Sequence, residues 1–287
     1  MEARSGRFAV LGDLQRTSRA EFWRESNTGE SRRLVAEIAA RGPDFVVGLG
    51  DAVFRGSSVR DWNRFDALTA PLRDGGIPYF PILGNHEYWM RRAPALRNYF
   101  ARFPALAGRR WYAESYAGLG LVFLDSNEGP LGPALWNEQA TWLEETLARL
   151  DAQREVSGVL VFSHHPPYTN STVTGDEIHV QRAFVAPFAA AKKTLAMVSG
   201  HVHAYERFTR GGKTFLVAGG GGGPRVRLAR GAGSRHADDA FAGPAVRPFH
   251  FLMCRPAAAG LEVEVVGLEK GGEEFRSLSR FVLEWSR

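Results

Sequence analysis

The apolar run Ile77-Pro78-Tyr79-Phe80-Pro81-Ile82-Leu83 stops abruptly at Gly84-Asn85-His86-Glu87. A run of that length closed by glycine reads as a buried strand, with the polar residues after it held at the strand's carboxyl end. The same pattern recurs. Phe8-Ala9-Val10-Leu11 closes on Gly12-Asp13, and Asp44-Phe45-Val46-Val47-Gly48-Leu49 closes on Gly50-Asp51. Between them, residues 31–41 have helical apolar spacing at Leu34, Val35, Ile38 and Ala39, ended by Gly42-Pro43. Residues 59–74 also read as helical. Strand, helix and strand in alternation predict an α/β fold, which gathers its chemistry beyond the carboxyl ends of its strands.

Right-handed crossovers would deliver Asp13, Asp51 and Asn85 to one edge of a sheet. A single Asp at a strand exit reads equally well as a helix cap. Three aligned oxygen donors point instead to a divalent metal. The later chain adds nitrogen donors. Val159-Leu160-Val161-Phe162 exits into Ser163-His164-His165, and Leu195-Ala196-Met197-Val198 into Ser199-Gly200-His201-Val202-His203. In an extended segment His201 and His203 would share a face and could serve different ions. Asp13, Asp51, Asn85, His164, His201 and His203 are too many ligands for one open catalytic ion and suit two.

Composition narrows the class. With 287 residues and 44% hydrophobic content, including 19 Phe and 7 Trp, the chain is expected to form a single domain over 1–287. No apolar run approaches membrane-spanning length, so no membrane partner is expected. The net charge of +5 comes from scattered arginines and does not by itself indicate nucleic acid. Cys254, the single cysteine, excludes an internal disulfide. Met1–Arg7 leads into the first strand without an apolar leader, and a cytoplasmic protein is expected.

The ordered series Gly12-Asp13, Gly50-Asp51, Gly84-Asn85-His86-Glu87, His164 and Gly200-His201-Val202-His203 resembles the calcineurin-like metallophosphoesterase superfamily. Val161–Tyr168 and Ser199–Arg207 are most similar to its purple acid phosphatase branch. The resemblance spans roughly residues 7–220. It implies a four-layer α/β/β/α sandwich of two stacked mixed β-sheets flanked by helices, with two divalent ions (Mn, Fe or Zn) at their carboxyl edge. Asp51 would bridge the ions. Asp13 and His203 would complete one site, and Asn85, His164 and His201 the other. The implied reaction is hydrolysis of a small phosphomonoester by in-line attack of a metal-bridging hydroxide, with His86 as hydrogen-bond donor or general acid. A phosphodiesterase, or a phosphate-binding domain without turnover, uses the same residues.

Two positions depart from the family pattern. Asp13-Leu14-Gln15 stands where most of the superfamily has Asp-x-His, and Phe54 stands where purple acid phosphatases place an iron-binding Tyr. Gln15 could supply a weak amide oxygen, hold a water, or pack. Without a tyrosinate ligand, neither the purple colour nor a firmly held ferric ion is expected.

Around the ligands, Asn85, His86, His165, Arg16, Arg55 and Tyr88 are candidate substrate contacts, with Tyr88 and Trp89 as an aromatic wall or as core. Gly219–Gly223 reads as a tight strand exit beside the site. Trp111–Tyr116 and Leu119–Leu124 read as an antiparallel pair, and residues 136–150 and 179–193 as helices. Residues 224–245 are expected as a loop overhanging the pocket. Residues 246–254, 261–268 and 275–285 are expected as strands completing the second sheet. Specificity is expected in the loops 16–30, 88–110, 168–180 and 224–245.

Overall fold

The computed structural model describes residues 5–18 and 22–285; positions 19–21 of the expected 16–30 loop lie outside them. Among the described residues, twelve strands form two six-stranded sheets. In the first, β1 (Phe8–Leu11), β2 (Val46–Gly48) and β3 (Tyr79–Pro81) run parallel, as the strand-helix-strand reading requires. The second sheet has the order β4 (Tyr112–Tyr116), β5 (Leu119–Phe123), β6 (Gly158–Ser163), β7 (Thr194–Ser199), β9 (Lys213–Ala218), β8 (Tyr205–Arg210). The expected antiparallel pair is β4 and β5, and β5, β6, β7 and β9 run parallel.

One expectation is overturned. β10 (Phe249–Ala257), β11 (Gly260–Leu268) and β12 (Phe275–Glu284) extend the first sheet, not the second. The parallel β1-β2-β3 unit leaves the outer edge of β1 unpaired, and β10 takes it antiparallel, with Phe8 opposite Cys254. An open strand edge is thereby satisfied.

The helices follow the apolar periodicity with local breaks. α1 (Thr28–Arg41) ends at Gly42 in left-handed conformation. The expected 59–74 helix divides into α2 (Val59–Leu68) and α3 (Ala70–Asp74), because Pro71 has no N–H to continue the ladder. α4 (Arg92–Arg102) forms inside the segment expected as a loop; Ala95 and Tyr99, one turn apart, are buried. α5 (Glu128–Ala152) starts earlier than expected and is interrupted at Gly132, beside Pro133. α6 (Ile178–Val180) passes through a π-helical turn into α7 (Ala186–Ala190). Among the described residues no helix is long and apolar enough to cross a membrane.

Strand alternation sets the layers. Leu121 and Phe123 of β5, Leu160 and Phe162 of β6, and Ala196 and Val198 of β7 share one core with Phe8, Val10 and Phe45 of the first sheet. Val122, Val159, Val161 and Met197, at the intervening positions, pack with Leu143, Leu147 and Leu150 of α5 and Phe188 of α7. Period two thus sends one face of the second sheet to the other sheet and the opposite face to the helices. Aromatic contacts cross the inter-sheet core: Phe80 to Phe123 with ring centroids 6.1 Å apart, and Phe45 to Tyr116 at 4.9 Å. The Tyr116 hydroxyl also donates to Asp44 Oδ2 at 2.6 Å.

Phe123 is fully buried and stacks on Tyr112 and Phe162 as well as Phe80. Phe123→Ala is expected to cost about 3–5 kcal/mol of stability, read as a lowered urea midpoint at unchanged slope. A loss under about 1 kcal/mol would show that the inter-sheet core does not depend on this ring.

Candidate metal centre

The loops after β1, β2, β3, β6 and β7 converge at one edge of the two stacked sheets. Three candidate ligands reach it on left-handed backbone: Asp13 at φ 62°, Asp51 at φ 51° and His201 at φ 65°. Such conformations cost about 1–3 kcal/mol each for non-glycine residues and cluster at functional sites. The segment 201–204 is therefore a bend rather than the extended strand expected, and His201 and His203 diverge into separate clusters. Glycines make the approach possible. A Cβ on Gly84 would lie 2.2 Å from Asp51 Oδ1, and one on Gly223 would lie 2.4 Å from His203 Cε1. The 219–223 run is thus backbone packed against the centre, and the Gly223 N–H donates to the Asp13 carbonyl at 2.8 Å.

Glu87, which had no assigned role, ties two of these loops together. Its buried carboxylate accepts from the main-chain N–H groups of Asp51 (2.7 Å), Ala52 (2.8 Å) and Gly84 (2.7 Å). Burial, with the Asp51 charge adding to it, pushes its pKa up to about 7. The His86 N–H completes the lock by donating to Asp51 Oδ1 at 2.9 Å.

The side chains form two clusters. In one, Asn85 Oδ1 lies 3.1 Å from His164 Nε2 and 3.0 Å from His201 Nδ1, which are themselves 3.2 Å apart. Asp51 Oδ2 is 3.3 Å from His164 Nε2. In the other, His203 Nε2 lies 3.5 Å from Asp13 Oδ1. There the Gln15 amide is satisfied with its nitrogen donating to the main-chain carbonyls of Asp13 (3.1 Å) and Asp51 (3.0 Å), and its oxygen 3.0 Å from His203 Nε2. One donor atom each from Asp13, Asp51 and His164 falls within 4.8 Å of the others, as does one each from His164, His165 and His201.

The donor chemistry fits cations. His164 Nδ1 donates to the Leu49 carbonyl at 2.7 Å, and His203 Nδ1 to that of Pro224 at 2.8 Å. Both Nε2 atoms are thereby turned inward, as in metal-binding imidazoles whose other nitrogen is held by the protein. Charge tells the same story. Burial lowers the His164 pKa, but the Asp51 carboxylate outweighs it and raises it to about 10. His203 is likewise raised against its burial by Asp13. Burial would raise Asp51, yet His164 and His86 hold it below the usual carboxylate range, while Asp13 is raised by burial. His201 is pushed down to about 3 by burial and by the charge on His164. The carboxylates draw positive charge into the space between the clusters, and the protons on His164 and His203 occupy the role a metal ion would take.

His86 stands beside this centre. Its Nδ1 donates to the Phe54 carbonyl at 2.6 Å, which leaves Nε2 directed inward, 3.9 Å from Asp51 Oδ2. Phe54 and Trp89 flank its ring at 5.2 and 4.7 Å. The pocket over the centre has a volume of 150 Å³ and includes Arg16, Arg24, Phe54, Asn85 and His86 in its wall. Arg24 was not anticipated, since nothing in its local sequence marks it.

Other expected contacts are placed differently. Tyr88 is buried, with its hydroxyl on Asp125, so it is core rather than a wall of the pocket. Arg55 turns to Asp61 at 3.2 Å and faces a neighbouring cavity. His165 stacks near His201, at 4.6 Å between ring centroids. The Ser126 hydroxyl accepts from the His165 main-chain N–H at 2.9 Å and lies 2.8 Å from its Nδ1. The 224–245 loop does reach the pocket, through Pro224 and Val226.

The opposite wall, which includes Ser171, Val173 and Thr174, is anchored by Glu206 of β8. Its carboxylate accepts from the Asn170 N–H at 2.8 Å and from the Thr169 hydroxyl.

Comparison with known proteins gives the family and the fold. Over residues 6–205 the sequence matches the family described as calcineurin-like phosphoesterase. Purple acid phosphatase 15 of Arabidopsis thaliana is 26% identical over 272 residues, covering 82% of this chain and 47% of its own length. A purple acid phosphatase, PPD1, from yellow lupin (Lupinus luteus) seeds shares the fold with a TM-score of 0.74 at 17% identity, over 99% of this chain and 54% of that one. A dimetal phosphatase from Danio rerio superposes with a TM-score of 0.65 at 16% identity, over 98% of this chain and 99% of that one. The chain spans about half the length of the curated relatives it matches.

Burial raises the Glu206 pKa from 4.5 to about 7. The folded chain therefore holds this proton more tightly than the unfolded chain, and stability present at low pH falls as pH rises across that window. In metal-free protein, Glu206→Gln is expected to remove up to about 3 kcal/mol of that decline, measured by urea unfolding at a series of pH values. An unchanged pH slope would show that Glu206 already titrates at its ordinary value.

Proposed function

The chain belongs to the calcineurin-like phosphoesterase family, and from that premise we propose a binuclear metal-dependent phosphatase acting on small phosphomonoesters. The observation that carries this reading is the pair of inward-facing clusters that share Asp51 and lie beside His86. Asp13, Gln15 and His203 would hold one divalent ion, and Asn85, His164 and His201 the other, with Asp51 between them. Mn, Fe or Zn suits this mixture of carboxylate, amide and imidazole donors. When bound, the two ions would supply Lewis-acid charge to the phosphoryl oxygens and lower the pKa of the attacking water.

The protein's own groups do the rest. His86, fixed through Nδ1 on the Phe54 carbonyl, presents Nε2 to the pocket, where it donates a proton to the leaving oxygen. His165 and Arg16 are donors for the non-bridging oxygens. Phe54 brings no oxygen to the centre, so no tyrosinate colour is expected.

Metal-stripped protein titrated with Mn²⁺, Fe²⁺, Zn²⁺ or Mg²⁺ is expected to hydrolyse p-nitrophenyl phosphate faster than bis-p-nitrophenyl phosphate. His86→Ala is expected to lower kcat by about 10²–10⁴ while metal content is retained. Equal loss of activity and metal would make His86 a ligand, and absence of turnover with every metal would leave a phosphate-binding domain.

The neutral Gln15 oxygen, standing where an imidazole is usual, weakens the hold of the Asp13–His203 site. Gln15→His is expected to tighten retention of one Mn²⁺ equivalent by about tenfold in competition with a chelator. Two ions that both survive chelator dialysis in the unaltered protein would refute the weak-site assignment.

A further inference from the structure

The pocket above the metal ligands is small. Its 150 Å³ lies below the usual range of ligand pockets and has room for a phosphoryl group and its attacking water. A second cavity of 380 Å³ adjoins it, and Arg16, Thr17 and Phe54 belong to the walls of both. That volume lies in the range of ligand pockets, roughly 300–1,000 Å³. The remainder of a substrate whose phosphate sits at the ligands has this cavity to enter.

The wall of the larger cavity is strongly basic. Among the described residues it includes Arg16, Arg32, Arg55, Arg60 and Arg64 against one carboxylate, Asp61. Asp61 is already shared by Arg55 at 3.2 Å and Arg64 at 3.0 Å. Among the described residues, Arg32 of α1 and Arg60 of α2 meet no carboxylate, although both face this cavity. The first turn of α1 opens onto the same space through Thr28 and Ser31, and adds the positive end of a 14-residue helix. Phe54 and Phe65 give it an apolar part. A second dianion would meet this charge through paired guanidinium hydrogen bonds, which an aryl or alkyl group cannot make.

We infer that the substrate is a small organic bisphosphate, with one phosphoryl group at the metal ligands and the other held between α1 and α2 by Arg32 and Arg60. This rests on the phosphatase reading above and specifies its substrate class. The reaction is unchanged in kind: water adds to the first phosphorus, the ester oxygen leaves with a proton, and the second phosphate serves only as a handle.

The experiment uses the full chain loaded with Mn²⁺ and compares butyl phosphate with a series of α,ω-alkanediol bisphosphates. At one favoured chain length kcat/KM is expected to exceed that of butyl phosphate by about tenfold or more, chiefly through KM. In the double variant Arg32→Ala/Arg60→Ala the ratio is expected to fall towards one. Arg255→Ala, at an exposed ion pair on β10, serves as control and should keep the ratio. Hydrolysis of both classes with no preference at any chain length would overturn the inference and leave the phosphatase reading standing. Should no ester be hydrolysed with any metal, that reading fails, and calorimetric binding of the corresponding bisphosphonate decides the subsite separately. Binding that is lost in the double variant supports it, and no binding overturns it.

Discussion

Two carboxylates, three imidazoles and two amides from five loops meet at one point, and the arrangement is electrostatically incomplete without added positive charge. Asp13, Asp51 and Asn85 arrive from the first sheet; His164, His201 and His203 arrive from the second. The centre therefore exists only where the two sheets stack. The aromatic contacts between Phe80 and Phe123, and between Phe45 and Tyr116, are as necessary to the chemistry as the ligands. Left-handed backbone is held at Asp51 by the Glu87 carboxylate and at His201 by its N–H on Asp13 Oδ1, with glycines packed close beside them.

Main-chain carbonyls select the imidazole tautomers. Leu49 accepts from His164, Pro224 from His203, and Phe54 from His86. Each carbonyl lies on a loop that also carries a ligand or a wall of the pocket. A shift of that loop would thus turn an inward lone pair away as well as move a side chain. In this design the backbone, more than neighbouring side chains, supplies the outer support of the ligands.

Much of this was legible in the sequence, for identifiable reasons. Buried parallel strands read as continuous apolar runs, so their ends, and the candidate ligands Asp13, Asp51, Asn85 and His164 just beyond them, could be located directly. What long-range packing decides could not be located this way. Nothing local in residues 249–284 says which sheet they join, because the free edge of β1 that captures β10 lies some 240 residues earlier in the chain. Tyr88 follows the ligand motif immediately, but its side chain turns into the core and Glu87 turns under the loop. The His201–His203 spacing suggests an extended segment, but the chain bends there, and the two side chains point into different clusters. Arg24 and Arg32 carry no local mark at all. Their places in the cavity walls depend on how residues 22–41 fold back over the β1 exit.

The position of Phe54 shows how this chain departs from a tyrosine-bearing site without losing it. The main-chain oxygen of residue 54 fixes His86, and that function is indifferent to the side chain. The ring packs at a tilt beside His86 and Trp89 and lines both the small pocket and the larger basic cavity. Compared with the tyrosine-bearing sites that the sequence resembles, this side chain offers no anionic oxygen, and bound ions would keep more of the positive potential that a phosphate meets. Phe54 and the neutral Gln15 act in the same direction: both remove ligand basicity from the centre, so that bound ions would keep more of their charge for the substrate at the expense of being held less firmly.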